Sequence, residues 1–373
     1  MLFGLAVLGL SALTGALELP SFAPADLPLS TKDNDGTIGG RYDVRPTMAI
    51  TQDPFQPGLN SWFYLVWLTT VDGRKYHLTI NTVLRGASEL GYNVSAFQGL
   101  QDLSDLTTTG GVILESGTSS KDHLNIHAPS QNLTTVQGSD NYTDVHYSGD
   151  FAGFALDLDF QPTGRNFYYG GSGGYTLAPV RPSDLFTVPP GYSWYWGNPH
   201  LRVSGSIKVD GQDVQIDSTQ STGFFERQWG VMQLRNWYLH WLYLSNGVVL
   251  HIWINEPSTT GAPTSDSIAV ASVWYPNGAS EVLPVDDTTS AWDAVRDPES
   301  GYLYFSEYRI DLLQAKNASL HVTRHGGLDA VLKPLGNISG MLNVSEAYAQ
   351  GDGTWNGEQV QIWGHVEQIS TLV

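Results

Sequence analysis

A repeated β-hairpin pattern constrains the fold of this 373-residue chain more than any other feature. Residues 73–81 (GRKYHLTIN) align with residues 247–255 (GVVLHIWIN), so that a glycine, a histidine and a terminal Ile-Asn pair match. Each copy follows an aromatic stretch, which opens with Trp62 in the first copy and with Trp237 in the second. Internal similarity of this kind indicates a duplicated structural unit. We therefore predict two copies of one β-domain, with a pocket lined by tryptophans inside or between them.

Turn signals separate short alternating stretches along the whole chain. Residues 154–160 and 360–366 place apolar side chains on one face of a strand and polar ones on the other. Only residues 290–295 and 345–350 resemble helices. Hairpin turns are predicted at five glycine-containing pairs: Asp72-Gly73, Asp210-Gly211, Asn246-Gly247, Asn277-Gly278 and Asp352-Gly353. The pattern predicts an all-β protein with two barrels or sandwiches.

The chain divides into a leader and two domains. Residues 1–16 are apolar and end in small residues, which predicts a secretory signal peptide cleaved after Ala16. The alternative is a membrane anchor, but the run is shorter than the ~20 residues that a spanning helix needs. A polar stretch near residues 215–223 predicts the linker. The N-terminal β-domain would cover residues 17–215 and the C-terminal β-domain residues 216–373.

Composition excludes several classes of function. The chain has no cysteine, so cysteine nucleophiles and thiolate metal sites are excluded. Its formal net charge of −19 argues against nucleic-acid binding, which needs lysine and arginine. Together with the leader, six acceptor sequons predict a secreted glycoprotein of a eukaryote, without a membrane span. These sequons begin at Asn93, Asn132, Asn141, Asn317, Asn337 and Asn343.

Four polar residues in the aromatic segment 224–255 are the candidate catalytic groups. Glu226 and Arg227 are adjacent, so on a strand they point to opposite faces. A carboxyl group in an apolar site has a raised pKa and can act as a general acid. An inward arginine would instead stabilise developing negative charge. The alternative for both residues is a structural salt bridge that closes a barrel or joins the domains.

Two histidines complete the candidate catalytic set. His240 lies between tryptophans that point to the other face of its strand, whereas His251 shares a face with Trp253. His251 also matches His77 in the repeat, and a repeated feature is more often architectural. We therefore rank His240 above His251 and interpret His77 as structural.

Twelve tryptophans predict flat aromatic walls around a ligand. Such walls suit a large, hydrophobic, partly unsaturated molecule, and they would also suit a sugar ring. Two aromatic stretches, residues 167–175 and 191–196, are predicted to be flexible loops over the ligand. The candidate substrate-binding residues are Trp62, Tyr64, Trp67, Tyr169, Trp194, Trp196, Trp229, Trp237, Trp241 and Trp253.

No metal site is predicted. Two histidine pairs have a four-residue spacing, His123 with His127 and His321 with His325. In a strand, residues four apart are separated by ~13 Å, too far to share one metal ion.

Three stretches together resemble the lipocalin-like carotenoid-hydratase superfamily. They are residues 200–211 (HLRVSGSIKVDG), residues 225–230 (FERQWG) and the aromatic strand that ends at Asn246-Gly247. The secreted fungal branch of that superfamily includes kievitone hydratase-like proteins and lipocalin-type Diels–Alderases. Many relatives carry aspartate where this chain has Glu226. The resemblance implies two lipocalin-like β-domains, an apolar pocket at or near their interface, and no cofactor.

The resemblance also implies a chemistry. We expect a secreted natural-product enzyme that dehydrates or hydrates a hydrophobic terpenoid or polyketide. A quinone methide formed by water loss would allow a coupled [4+2] cycloaddition. Glu226 would transfer the proton, while Arg227 and His240 would bind an oxygen that develops charge. The alternatives are a non-catalytic protein that binds an apolar ligand and a carbohydrate-active protein using Glu226 with Asp53.

Overall fold

The computed structural model describes most of the chain and both predicted domains. The predicted signal peptide (residues 1–16) and the sequons at Asn141 and Asn337 lie outside the described residues. The described residues are 17–25, 27, 51–54, 58–88, 91–120, 123–136, 139, 144–169, 174–176, 192–230, 236–265, 267–335 and 343–370.

The first sheet closes into an antiparallel barrel. Its ten barrel strands follow the order β11-β13-β1-β2-β3-β4-β5-β6-β7-β8, and β8 pairs again with β11. The short strands β9, β10 and β12 also pair with β11. The strands of this sheet are β1 (Leu59–Thr69), β2 (Lys75–Ser88), β3 (Gly91–Asp102), β4 (Thr108–Ser119), β5 (Asn125–Ala128), β6 (Gln131–Thr135), β7 (Val145–Phe151), β8 (Phe154–Pro162), β9 (Phe167–Tyr168), β10 (Gly174–Thr176), β11 (Tyr192–Val209), β12 (Gln212–Gln215) and β13 (Thr222–Gly230).

The second sheet is antiparallel and curls into a half-barrel, in the order β17-β16-β15-β14-β23-β22-β20-β19-β18, with β21 on β22. A short α-helix, α1 (Leu313–Lys316), and a 3-10 helix (Gly327–Ala330) interrupt its connections. The strands of this sheet are β14 (Trp237–Leu244), β15 (Val249–Asn255), β16 (Ala269–Trp274), β17 (Ser280–Pro284), β18 (Ser290–Arg296), β19 (Leu303–Leu312), β20 (Ala318–Arg324), β21 (Val331–Leu332), β22 (Val344–Trp355) and β23 (Glu358–Ile369).

The all-β prediction is therefore confirmed, and the sequence repeat corresponds to one hairpin in each sheet. The first copy forms β1 and β2, where Trp67 lies opposite His77. The second copy forms β14 and β15, where Trp241 lies opposite His251. Each sheet thus contains a tryptophan–histidine cross-strand pair at an equivalent place.

Four of the five predicted turns connect consecutive strands, but the prediction at Asp352-Gly353 was wrong. That pair lies inside β22, where β20 approaches so closely that a Cβ on Gly353 would be 2.3 Å from the Ser319 carbonyl oxygen. The glycine is therefore required for close strand packing. The turn between β22 and β23 is formed by Asn356 and Gly357, with φ angles of 52° and 80°. This pair also carries the Asn-Gly signal for a type I′ turn.

Both helix-like stretches proved to be strands. Residues 290–295 lie in β18 and residues 345–350 in β22, because strand pairing outweighs a weak local preference for helix. The stretch 191–196 was also wrongly predicted as a loop: β11 begins at Tyr192 and pairs with β13. In the other predicted loop, residues 170–173 lie outside the described part of the chain, and β9 and β10 flank them.

The chain passes from one sheet to the other after β13. Although β13 follows the predicted linker, it pairs with β1 and β11 of the first sheet. The change of sheet therefore lies between Gly230 and Trp237. Within the described residues, no helix is long and apolar enough to cross a membrane.

Three groups of buried side chains hold the molecule together. One fills the barrel, and another lines the half-barrel on the face away from the barrel. The third lies where the two sheets pack together, and we call it the inter-sheet core. It combines Phe63 and Phe224 from the first sheet with Trp241 and Trp253 from the second. Because the sheets pack face to face, the strands at this interface are buried on both faces.

Candidate active site

Strand β13 separates the two adjacent candidates Glu226 and Arg227. Alternate residues of a strand point to opposite faces. Phe224 belongs to the inter-sheet core and Phe225 to the barrel core. Glu226 therefore faces the second sheet, whereas Arg227 points into the barrel.

Arg227 is a structural anchor for the barrel. Its five N–H donors all have acceptors at 2.5–3.3 Å, and four of these acceptors are backbone carbonyls, including those of Thr51 and Asp53. The guanidinium carbon also lies 4.1 Å from the centre of the Trp62 ring. Because no donor is left over, Arg227 cannot bind a substrate oxygen without losing a structural bond. The same contacts place Asp53 on the barrel side, away from Glu226.

Glu226 is the first of three buried carboxyl groups in the inter-sheet region. Its carboxyl group hydrogen-bonds with the Tyr195 hydroxyl, and Oε2 has no partner among the described residues. The Tyr195 hydroxyl also lies 2.8 Å from Nε2 of His251. Glu226, Tyr195 and His251 therefore form one connected group, with Tyr195 from the barrel and His251 from the half-barrel.

The other two carboxyl groups belong to Glu346 and Glu367, which are cross-strand neighbours on β22 and β23. Neither oxygen of Glu346 has a hydrogen-bond partner among the described residues. The indole N–H of Trp237 donates to Oε1 of Glu367. Both carboxyl groups interact electrostatically with each other, and Glu226 interacts with both. The structure thus brings three carboxyl groups together where the sheets meet.

Burial gives these three carboxyl groups unusual pKa values. Desolvation raises the pKa of Glu226 and of Glu346 well above the ordinary range, and the Glu367 charge adds to both shifts. Burial also raises the pKa of Glu367, but the hydrogen bond from Trp237 and the proximity of the Glu346 side chain oppose that rise. Glu367 is therefore the carboxyl best suited to ionise, and Glu226 and Glu346 are suited to keep their protons.

Two histidines, His77 and His365, lie next to these three carboxyl groups. Nε2 of His365 lies 2.8 Å from Oε2 of Glu346, but the angles do not meet hydrogen-bond geometry. Its Nδ1 lies 3.0 Å from Nε2 of His77, so the contact joins the half-barrel to the barrel. Burial lowers the pKa of His77 to about 3 and that of His365 well below its usual value, so both rings are neutral.

The third predicted histidine, His240, lies apart from this cluster. It points to the other face of β14, where its ring packs edge-on against Tyr308 at 4.9 Å. Burial lowers its pKa to about 3. The ranking of His240 above His251 is therefore not matched by the geometry, because it is His251 that contacts the group containing Glu226.

The predicted aromatic residues fall into two groups instead of one pocket. The inter-sheet core contains Trp67, Tyr169, Trp237, Trp241 and Trp253. The barrel core contains Trp62, Tyr64 and Trp196, with Trp229 packed against it. Trp194 is 45% exposed. Only the inter-sheet group surrounds the buried carboxyl groups.

Known proteins share this architecture. The dehydratase AsqC of Emericella nidulans is 25% identical over 276 residues, which cover 72% of this chain and 73% of the relative. Kievitone hydratase from Nectria haematococca superposes with a TM-score of 0.76 and 16% identity over 94% of this chain and 98% of its own. A protein assigned as AttH from Nitrosomonas europaea gives 0.64 and 15%, over 84% and 92%. No family model matches the chain.

This chain shares its lipocalin-like fold with kievitone hydratase. The resemblance seen in the sequence is thereby confirmed. The match to a dehydratase at the sequence level supports an enzyme of the hydro-lyase type.

Sequence reasoning missed four polar residues of this candidate site: Tyr195, Glu346, His365 and Glu367. One signal for two of them was present, because His365 and Glu367 alternate with apolar residues on β23 and share a face with Trp363. The sequence alone marks that face only as the polar one. In the structure it packs against the barrel, so its polar groups are buried. Within the described residues, no group of three or more His, Asp and Glu is arranged to hold a metal ion.

Proposed function

We propose that this protein is a hydro-lyase that removes water from, or adds water to, a hydrophobic and uncharged substrate between its two sheets. The observation that carries the proposal is the convergence of three buried carboxyl groups among tryptophans. Carboxyl groups are seldom buried without a function or a charged partner. The dehydratase relative supports the same reaction class.

Glu226 is the proposed general acid. Because burial raises its pKa well above that of an ordinary carboxyl group, it is suited to protonate the hydroxyl group that leaves as water. The contact with Tyr195 holds the carboxyl group in one orientation. Oε2, which has no partner among the described residues, is the oxygen available to the substrate.

Glu367 is the proposed base. It accepts a hydrogen bond from Trp237, which stabilises its carboxylate form. In dehydration, Glu226 gives a proton to the leaving oxygen and the C–O bond breaks. Glu367 takes a proton from the neighbouring carbon or from a conjugated phenol, and a double bond forms. Hydration reverses these two transfers.

The charges around the site favour a transition state that develops positive charge. Within the described residues, no arginine or lysine is among the groups that shift the pKa values of the three carboxyl groups. An enolate would therefore lack a cationic partner from this part of the chain. Tryptophan faces and an ionised carboxylate both stabilise a nearby cation. We therefore propose an allylic, benzylic or phenol-conjugated alcohol as substrate, within the terpenoid and polyketide classes.

The same chemistry extends to cycloaddition. Loss of water from a hydroxybenzylic alcohol gives a quinone methide, which is a reactive heterodiene. An alkene held against the tryptophans would trap it in a hetero-Diels–Alder step. This extension depends on the chemistry of the natural substrate. Secretion of the protein is proposed separately, from residues 1–16 and the sequons.

The test is a comparison of metabolites from producing cultures with and without the gene, by untargeted mass spectrometry. The proposal expects a precursor that differs from the lost product by one water and that the purified protein converts. A precursor of equal mass would mean a cyclase without dehydration. An unchanged metabolite profile, with tight binding of an apolar compound, would mean a binding protein. Conversion of oligosaccharides would support the carbohydrate-active alternative.

A further inference from the structure

The two histidines of the sequence repeat occupy matching places around the carboxyl groups. His77 and His251 are buried, and both face the inter-sheet core. Each contacts one further side chain that in turn contacts a carboxyl group. His251 reaches Glu226 through Tyr195, and His77 reaches Glu346 through His365.

We call each of these two series of contacts an arm. Each arm crosses from one sheet to the other. In the first arm, the Tyr195 hydroxyl of the barrel meets Nε2 of His251 in the half-barrel at 2.8 Å. In the second, Nε2 of His77 in the barrel meets Nδ1 of His365 in the half-barrel at 3.0 Å. Equivalent residues of the duplicated hairpin therefore end two separate chains of polar contacts.

We propose that His77 and His251 are positioning residues that fix the proton arrangement of the two arms, and thereby orient Glu226 and Glu346. This inference rests on the proposed function, because it assigns roles around the same carboxyl groups. A neutral imidazole has one donor and one acceptor nitrogen. Each histidine contacts its neighbour through one ring nitrogen. The tautomer of the histidine therefore determines whether that nitrogen donates or accepts the hydrogen bond.

The consequence differs for the two arms. If Nε2 of His251 donates to the Tyr195 oxygen, the Tyr195 hydroxyl donates to Glu226, and the Glu226 proton stays on Oε2, the oxygen available to the substrate. If His77 donates to Nδ1 of His365, the proton of His365 lies on Nε2, the nitrogen that is 2.8 Å from Oε2 of Glu346. Glu346 lies beside Glu367, whose carboxylate form is the proposed base. Both arms would hold the acid and the base in complementary states without moving a net charge.

A first experiment needs no substrate. Nitrogen-15 spectra of the histidine rings would be recorded for the full chain and for Glu346→Gln and Tyr195→Phe. Glu346→Gln is expected to shift the ring signals of His365 and His77 together and to leave His251 in place. Tyr195→Phe is expected to do the reverse. If Glu346→Gln leaves His77 unchanged, or Tyr195→Phe leaves His251 unchanged, the arms do not exist as proposed.

A second experiment measures kcat and KM with the precursor isolated from cultures that lack the gene. Tyr195→Phe and His77→Gln are each expected to lower kcat up to about a hundredfold at nearly constant KM, because the reacting groups are misaligned. Within one arm, the double variant Tyr195→Phe/His251→Gln should lower kcat no further than either single variant does. Between arms, the fold losses in kcat from Tyr195→Phe and His77→Gln should multiply in the double variant.

The outcomes separate the inference from the proposed function. Losses that multiply within an arm, or kcat values unchanged in all these variants, would overturn the positioning role. The nitrogen-15 spectra test the contacts of the two arms without measuring catalysis. They would therefore support or refute these contacts even if the proposed reaction class were wrong. Tyr195→Phe removes only one oxygen atom, which keeps the test valid if the histidine variants fold poorly.

Discussion

The two faces of β13 differ sharply although Glu226 and Arg227 are neighbours in sequence. Arg227 points into the barrel, where all five of its donors have acceptors. Glu226 points between the sheets, where Oε2 has no partner among the described residues and two further carboxyl groups lie nearby. One strand thus carries a completed polar network on one face and an incomplete one on the other.

This difference teaches how to separate structural from chemical buried charge. A buried polar group that is fully hydrogen-bonded stabilises a fold, and its removal leaves partners unsatisfied. A buried group with an unused oxygen and a raised pKa is held at a cost in stability, as is common in active sites. Variants of the two faces should therefore lose different properties.

The largest expected effect is on activity, from Glu226→Gln. The amide cannot give up a proton, so kcat should fall by about a hundredfold or more. The fold should survive, because the amide fits the same space. Steady-state kinetics with the culture precursor, together with a thermal melt, would check both points. Glu358→Gln on the surface serves as a control, and a Glu226→Gln variant that fails to fold would make this carboxyl structural.

The next effect is on stability, from Arg227→Met. Five acceptors lose their donor, so the free energy of unfolding should fall by at least about 3 kcal/mol. The protein that remains folded should keep its kcat. Urea denaturation of this variant beside the exposed Arg85→Met would measure the difference. Equal stability of the two variants would refute the anchoring role.

The pH dependence of stability sharpens the comparison further. Burial raises the pKa of Glu226 above its unfolded value, so the folded state holds a proton that the unfolded state releases above about pH 4.5. The wild type should therefore lose stability relative to Glu226→Gln as the pH rises from there toward the folded pKa. The expected slope is about 1.4 kcal/mol per pH unit. Urea melts of both proteins between pH 4.5 and 8 would show it, and a constant difference would contradict the raised pKa.

Substitutions of tryptophans in the two regions should also have different effects. Trp241 lies in the inter-sheet core, whereas Trp62 packs beside Arg227 in the barrel. Trp241→Phe should weaken stabilisation of a developing cation by about 1 kcal/mol, which is roughly fivefold in kcat. Trp62→Phe should lower stability alone. A larger kcat loss for Trp62→Phe would place the chemistry in the barrel.

The smallest effect concerns the surface. The sequon residues Asn93 and Asn317 are exposed, so we expect both to carry glycans in protein from a eukaryotic secretory host. Asn93→Gln and Asn317→Gln should each remove one glycan mass and leave kcat unchanged. Intact-protein mass spectrometry before and after glycosidase treatment would show whether each of these residues carries a glycan.

Much of the fold could be predicted because its signals are local. Alternation and Asn-Gly or Asp-Gly pairs depend on a few neighbouring residues, so most strands and turns were found. Asp352-Gly353 misled because Gly353 is required by a neighbouring strand and not by a turn. The carboxyl cluster was only partly predictable, since Glu346 and Glu367 become neighbours through strand pairing with no local signal.

The sequence by itself determined the all-β class, the duplicated hairpin, the resemblance to lipocalin-like hydratases and Glu226 as a notable carboxyl group. Only the tertiary structure decided which face of each strand meets the other sheet. Alternation specifies that Glu226 and Arg227 point apart, but β13 is buried on both faces, so burial cannot tell them apart. The packing of the half-barrel against the barrel encloses one face, where we propose the acid–base site, and leaves the other as the anchored interior of the barrel.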